Sequence, residues 1–263
     1  MSQFNNILVR TDGPVATLSL NRPDVRNAMN PAMIGEIQAA FETFNTDDEI
    51  RVVIIRGEGR VFCAGGDLNW MKDVLGQNEQ EVMEDSRHLL NMYKSIDQSP
   101  KLVVTAVNGA AIAGALGIVA CSDVVIAEAE TKLCVSEVKI GLAPGIIAAY
   151  ILPRIGPSWF RYISKTAILF DAATAQKMGL FHEIVDGEDA LDQRIAAHVK
   201  LGLGASPDAI ERTANLIGEL GHKVDEEILN TGLLFNAKAR LSPEAQEGIG
   251  SFLEKRQPAW VPD

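Results

Sequence analysis

Cysteine is scarce in this 263-residue chain. Cys63, Cys121 and Cys134 are the only three, each lies among apolar neighbours, and none has CxxC spacing. The pattern reads as reduced thiols buried as small hydrophobes, which predicts a cytoplasmic protein rather than a disulfide-bonded secreted one. Histidine is equally thin: His88, His182, His198 and His222 lie apart, without metal-ligand spacing or a Ser/His/Asp set. Basic residues are outnumbered, 24 Lys and Arg against 35 Asp and Glu, for a formal charge of −11. That argues against nucleic acid as the main partner, although a few local cations suffice for one phosphate. Long apolar runs are missing too, so no segment is expected to span a membrane. The opening residues, MSQFNNILVRTDG, lack the basic-then-apolar pattern of a signal peptide. Internal repeats and low-complexity linkers are also wanting.

What is present is core material: 47% of the residues are apolar. Residues 15–20, VATLSL, alternate and predict a strand. Residues 31–45 begin with Pro31, a plausible first helical position, and keep an apolar face at helical spacing. Residues 51–56, RVVIIR, and 102–107, LVVTAV, predict strands buried on both faces of a sheet. A polar-rich helix is expected over 79–98. Strands alternating with helices predict an α/β layered domain. After about residue 157 strand-like runs largely give way to helical patterns at 158–168, 172–178, 187–202, 206–219, 223–240 and 243–256. Asp171, Ser206 and Ser242 are natural N-caps for three of them.

The chemistry concentrates between Asn108 and Gly145. The turn Gly109–Ala115 carries almost no side-chain bulk, so a ligand can press against main-chain N–H groups. A helix expected over Ala115–Ser122 would aim its free N–H groups and the positive end of its dipole at that ligand. Ala64-Gly65-Gly66-Asp67 forms a second such cradle after a strand. Paired N–H donors from Gly66 and Gly114 suit a thioester oxygen that gains negative charge. The alternative is that these glycines do no more than make tight turns. Neither matches a phosphate loop or a dinucleotide fingerprint. Glu137 follows in the apolar neighbourhood Leu133-Cys134-Val135, which would raise its pKa. Its rival fate is an ion pair with Lys139. Trp70 and Met71 are candidates for an apolar pocket wall or for plain core.

Taken together, NRPDVRNAMN (21–30), FCAGGDL (62–68), AVNGAAIAGALGIVACSD (106–123), SEVKIGLAPG (136–145), GLFHEIVD (179–186) and FLEKRQPAW (252–260) resemble the crotonase superfamily, the enoyl-CoA hydratases and isomerases. The resemblance covers nearly the whole chain. It implies a spiral of ββα units over residues 1–195 and a helical oligomerisation region over 196–263, assembling as a homotrimer or homohexamer. It implies an acyl-CoA thioester substrate, with no cofactor beyond the coenzyme A that the substrate carries, and no metal. Gly66 and Gly114 would form the oxyanion hole and Glu137 would handle protons. CoA would run along Arg26 and Ala28 and past Ala64, Gly65, Asp67 and Leu68, with Phe252 and Lys255 reaching it from the C-terminus.

One departure matters. Hydratases of this kind usually carry a second glutamate three residues after the second oxyanion glycine, and here that position is Gly117. With glycine there, the motifs look most like the 3-methylglutaconyl-CoA and isohexenylglutaconyl-CoA hydratases of leucine and acyclic terpene breakdown. A substrate carboxylate would then help orient water. Rival expectations are a Δ3-Δ2 enoyl-CoA isomerase, a decarboxylase acting on a glutaconyl-type thioester, and a non-catalytic acyl-CoA-binding protein.

Overall fold

The computed structural model describes residues 4–222 and 225–261. Its backbone is a succession of turns that combine a strand of the large sheet, a short extended segment and a helix. The long strands are β1 (Ile7–Asp12), β2 (Val15–Leu20), β3 (Val52–Gly57) and β4 (Leu102–Val107). With the later strands β6 (Val124–Glu128) and β9 (Glu183–Val185) they form one sheet in the order β1-β2-β3-β4-β6-β9. β1 and β2 make an antiparallel hairpin, and every other pairing in this sheet is parallel.

A second, smaller sheet joins β5 (Ala110–Ile112), β7 (Lys132–Cys134) and β8 (Phe170–Asp171). Single bridges extend its line, Cys63 with Ala111 and Met29 with Gly66. The helices that close the turns are α1 (Pro31–Thr46), α2 (Leu68–Val74), α3 (Glu79–Asp97), α4 (Ala115–Ala120) and α5 (Gly145–Thr166). The result is the spiral of ββα units. Its large sheet sets the scaffold, and its small sheet carries the segments that reach the site.

The apolar strands explain the layering. In β3, Val53 and Ile55 join the main core inside the spiral, while Val52 and Ile54 pack outward. The outward face is covered by α7 (Glu188–Gly204), through Leu191 and Ile195. A run apolar on both faces is what such double burial requires. The boundary expected between residues 195 and 196 falls inside α7, a helix that packs on the large sheet along its length.

Beyond it come α8 (Pro207–Ile217), α9 (Glu226–Arg240) and α10 (Pro243–Leu253), with α6 (Ala172–Met178) earlier in the chain. The helix expected over 223–240 is found from Glu226, residues 223 and 224 lying outside the described residues, as do residues 1–3 of the opening stretch. Asp171 and Ser242 cap their helices, accepting from the N–H of Thr174 and Ala245. Ser206 occupies the N-cap position of α8 but makes no such bond. α5 begins thirteen residues earlier than its pattern predicts, because Pro153, Pro157 and a left-handed Gly156 (φ 73°) interrupt the periodicity with a kink. Among the described residues no helix is long and apolar enough to cross a membrane.

Candidate active site

The small-residue turn is held by bonds on both sides. Ile112 N–H donates to the Cys63 carbonyl at 3.1 Å, and Ala113 N–H to the Cys134 carbonyl at 2.8 Å. Ala113 then adopts a left-handed conformation (φ 51°), which swings the chain into α4 at Gly114. Since β5 and β7 run parallel and Cys134 lies three residues before Glu137, the Ala113–Cys134 bond keeps the glycine and the carboxylate at the same end of the small sheet. The other cradle is pinned by Met29. Its N–H donates to the Gly65 carbonyl at 2.7 Å, and its carbonyl accepts from Asp67 N–H at 2.8 Å. Gly66 sits between these two bonds. Its N–H and that of Gly114 have no acceptor among the described residues.

Gly66, Gly114 and Glu137 line one cavity of about 130 Å³, along with Trp70, Met71 and several aliphatic side chains. Glu137 opens a short 3-10 turn (Glu137–Ile140). Its Oε2 is buried and makes no hydrogen bond, and burial pushes its pKa up to about 7. Lys139 does not pair with it: among the described residues no ion pair includes either side chain. A carboxyl group that titrates near neutrality, in one cavity with two free N–H donors, can take a proton and return it at physiological pH.

The space at Gly117 is full. A Cβ built on Gly117 would lie 2.5 Å from Tyr93 Cε1 and 2.9 Å from Ile147 Cγ2. Tyr93 is fully buried, and its hydroxyl donates to the Gly114 carbonyl at 2.6 Å. The tyrosine ring therefore fills the space beside Gly117 and is tied to Gly114.

The other expected contacts are spread around this cavity rather than in it. Arg26 is exposed in a left-handed turn (φ 54°), and its guanidinium has no partner among the described residues. Its carbonyl accepts from Ala64 N–H, so it stands beside the first cradle. Ala28 is buried next to it, and Gly65 (φ 97°) makes the bend. Asp67 caps α2, accepting from Asn69 and Trp70 N–H, and pairs with Arg22 at 2.8 Å. Burial pushes the Asp67 carboxyl up, but Arg22 and the cap hold it below the ordinary range. Leu68 and Phe252 project into solvent, as does Lys255 just past α10. Trp70 and Met71 are cavity wall, whereas Lys72 is exposed.

The three thiols are buried and unbridged, and burial pushes Cys63 up to about 12. His198 pairs with Glu183 and His182 accepts from Val125 N–H, both away from the cavity, while the His222 side chain lies outside the described residues.

The family model for enoyl-CoA hydratase/isomerase matches residues 10–262. The chain belongs to the enoyl-CoA hydratase/isomerase family. A crystal structure of an enoyl-CoA hydratase from Shewanella pealeana is similar at 33% identity, with a TM-score of 0.81, over 98% of this chain and 97% of that one. Among curated relatives, the 1,2-epoxyphenylacetyl-CoA isomerase of Escherichia coli is 30% identical over 97% of this chain and 98% of its own. The crotonyl-CoA hydratase of Syntrophomonas wolfei is 27% identical over 98% of each. Family members thus include both hydratases and isomerases, and the choice between them rests on the site.

Three residues of this family member's site escape a reading of the sequence. Tyr93 lies on the buried stripe of α3 with Val82, Ser86 and Leu90, where spacing predicts core and says nothing of its partner. Asn236 and Arg240 line the cavity from α9. An arginine on the stripe of Leu229, Leu233 and Ala237 was the available signal. They reach the cavity because α5 and α9 cross closely: a Cβ on Gly145 would collide with the Gly232 carbonyl.

Proposed function

We propose that this enzyme adds water across the 2,3 double bond of a branched glutaconyl-type acyl-CoA, such as 3-methylglutaconyl-CoA or isohexenylglutaconyl-CoA. The observation that carries the proposal is the single unpaired carboxyl of Glu137 in the same cavity as the free N–H groups of Gly66 and Gly114. The thioester oxygen would lie between the two glycines. Glu137, ionised, takes a proton as water oxygen bonds to the β-carbon. Electrons move onto the thioester oxygen as an enolate, stabilised by the two donors and the N-terminus of α4. Glu137 then returns the proton to the α-carbon, so one group serves both steps.

The CoA path along Arg26, Ala28, Ala64, Gly65, Asp67 and Leu68 belongs to the same proposal, Asp67 acting by holding Arg22 and α2. So do Phe252 and Lys255 as C-terminal CoA contacts, a trimeric or hexameric assembly, the absence of any cofactor beyond substrate CoA, and a cytoplasmic location.

The second reading is an isomerase, favoured by the same lone carboxylate: one group can lift a proton from one carbon and return it to another. Turnover of 3-methylglutaconyl-CoA followed by product mass separates these readings. Gain of one water supports hydration, an isobaric product supports isomerisation, and loss of CO₂ means decarboxylation. Glu137→Gln is expected to lower kcat by about 10³-fold. In the wild type, kcat/KM should fall tenfold per pH unit below about 7, because the ionised form starts the reaction. A flat profile from pH 5 to 8 would remove Glu137 from that role.

A further inference from the structure

The cavity is mostly apolar, but the wall contributed by α2 and α9 ends in a buried polar cluster. Arg240 is 5% exposed. Its guanidinium donates to Asp85 Oδ2 at 2.6 Å, Gln77 Oε1 at 3.3 Å and Ser86 Oγ at 3.2 Å. It also lies 5.8 Å from the Trp70 ring, whose indole N–H donates to the same Asp85 oxygen at 2.9 Å. Ser86 in turn donates to Asn236 Oδ1 at 2.9 Å. Asp85 Oδ2, Gln77 Oε1 and Asn236 Oδ1 are therefore all engaged.

What remains open at this wall is donors. Arg240 Nε and Asn236 Nδ2 have no acceptor among the described residues, and both residues line the cavity. A hydrocarbon tail pressed against them would strip their hydration and give nothing back. A tail ending in an acceptor would satisfy them. Trp70 connects the cluster to the oxyanion end, since its ring lies within 3.9 Å of a Cβ built on Gly66.

We propose that Arg240 and Asn236 form a subsite for a carboxylate at the far end of the acyl group, so that the cavity selects dicarboxylic acyl thioesters over simple alkenoyl ones. The proposal rests on the glutaconyl-type reading above and assigns the residues that enforce it. Asp85 and Trp70 are positioning residues: they fix the guanidinium against the cavity wall.

Binding of unreactive analogues separates this subsite from the chemistry. Glutaryl-CoA carries the far carboxylate and butyryl-CoA lacks it, and neither has a double bond to hydrate. Titration calorimetry on the full chain should give a Kd at least tenfold lower for glutaryl-CoA. Asn236→Asp keeps the acceptor for Ser86, removes the donor and adds a negative charge. It should weaken glutaryl-CoA at least tenfold and leave butyryl-CoA within twofold. Asn236→Ala should give a smaller loss, about threefold, again confined to glutaryl-CoA. Equal wild-type affinities would overturn the subsite, and so would a parallel loss of both ligands in Asn236→Asp. If glutaryl-CoA is preferred but 3-methylglutaconyl-CoA gains no water, the hydratase reading fails while the subsite stands.

Discussion

The two glycines whose free N–H groups share the cavity occupy unlike surroundings. Gly114 is crowded: a Cβ there would lie 2.6 Å from Met29 Cε and 3.0 Å from the Tyr93 hydroxyl. Gly66 is open, and its Cβ would meet only Met71 and Trp70 at 3.7 Å or more. Both corners answer to Met29, whose backbone holds Gly66 and whose methyl abuts Gly114. The difference teaches that one donor is fixed by packing and the other by backbone bonds alone. The crowded corner also takes in Gly117, so the tight packing at Gly114 and at Gly117 shares one neighbour, Tyr93.

The strongest way to break the crowded corner is to add a side chain at Gly117. Gly117→Glu places a Cβ 2.5 Å from a fully buried ring and a carboxylate among apolar groups. Overpacking and an unpaired buried acid together should destabilise the protein by about 3 kcal/mol or more. Chemical denaturation reads this directly, and the double variant with Tyr93→Ala should be less destabilised than the sum of the singles. Additive losses would mean that Tyr93 is not what fills the site.

A gentler change tests the hydroxyl by itself. Tyr93→Phe keeps the ring and removes the bond to the Gly114 carbonyl. Stability should fall by about 1 kcal/mol, the usual net worth of one buried hydrogen bond. As a positioning residue Tyr93 should affect kcat more than KM, with kcat about tenfold lower and the pH profile unchanged. Equal changes in kcat and KM would reduce its role to packing.

How far these corners were legible in the sequence follows from what generates each part. β2, β3 and β4 carry their own pattern, alternating or apolar throughout, and their ranges match to within a residue. β7, β8 and β9 are three residues or fewer and exist only because a neighbour offers a register, so no local period announces them. Gly66, Gly114 and Glu137 stand out because small residues and an acid in apolar company are visible locally. That they share a cavity depends on the Ala113–Cys134 bond across two strands. Tyr93, Asn236 and Arg240 come from helices far along the chain, and only tertiary packing gives them meaning. Asp67 had a legible motif, but its partner Arg22 did not follow from spacing.

The open corner supplies the smallest expected effect. Gly66 has no left-handed backbone, so alanine meets no conformational penalty, and the nearest atoms to a Cβ there lie at ordinary contact distance. Gly66→Ala should therefore leave stability within about 0.5 kcal/mol. Its N–H would still point where it did, because Met29 holds Gly65 and Asp67 on either side. What changes is access: the new methyl faces Trp70 and Met71 at the cavity wall, so KM should rise about threefold while kcat stays nearly constant. A large fall in kcat with KM unchanged would show that the Gly66 donor depends on more than its two backbone bonds, and the contrast with Gly114 would disappear.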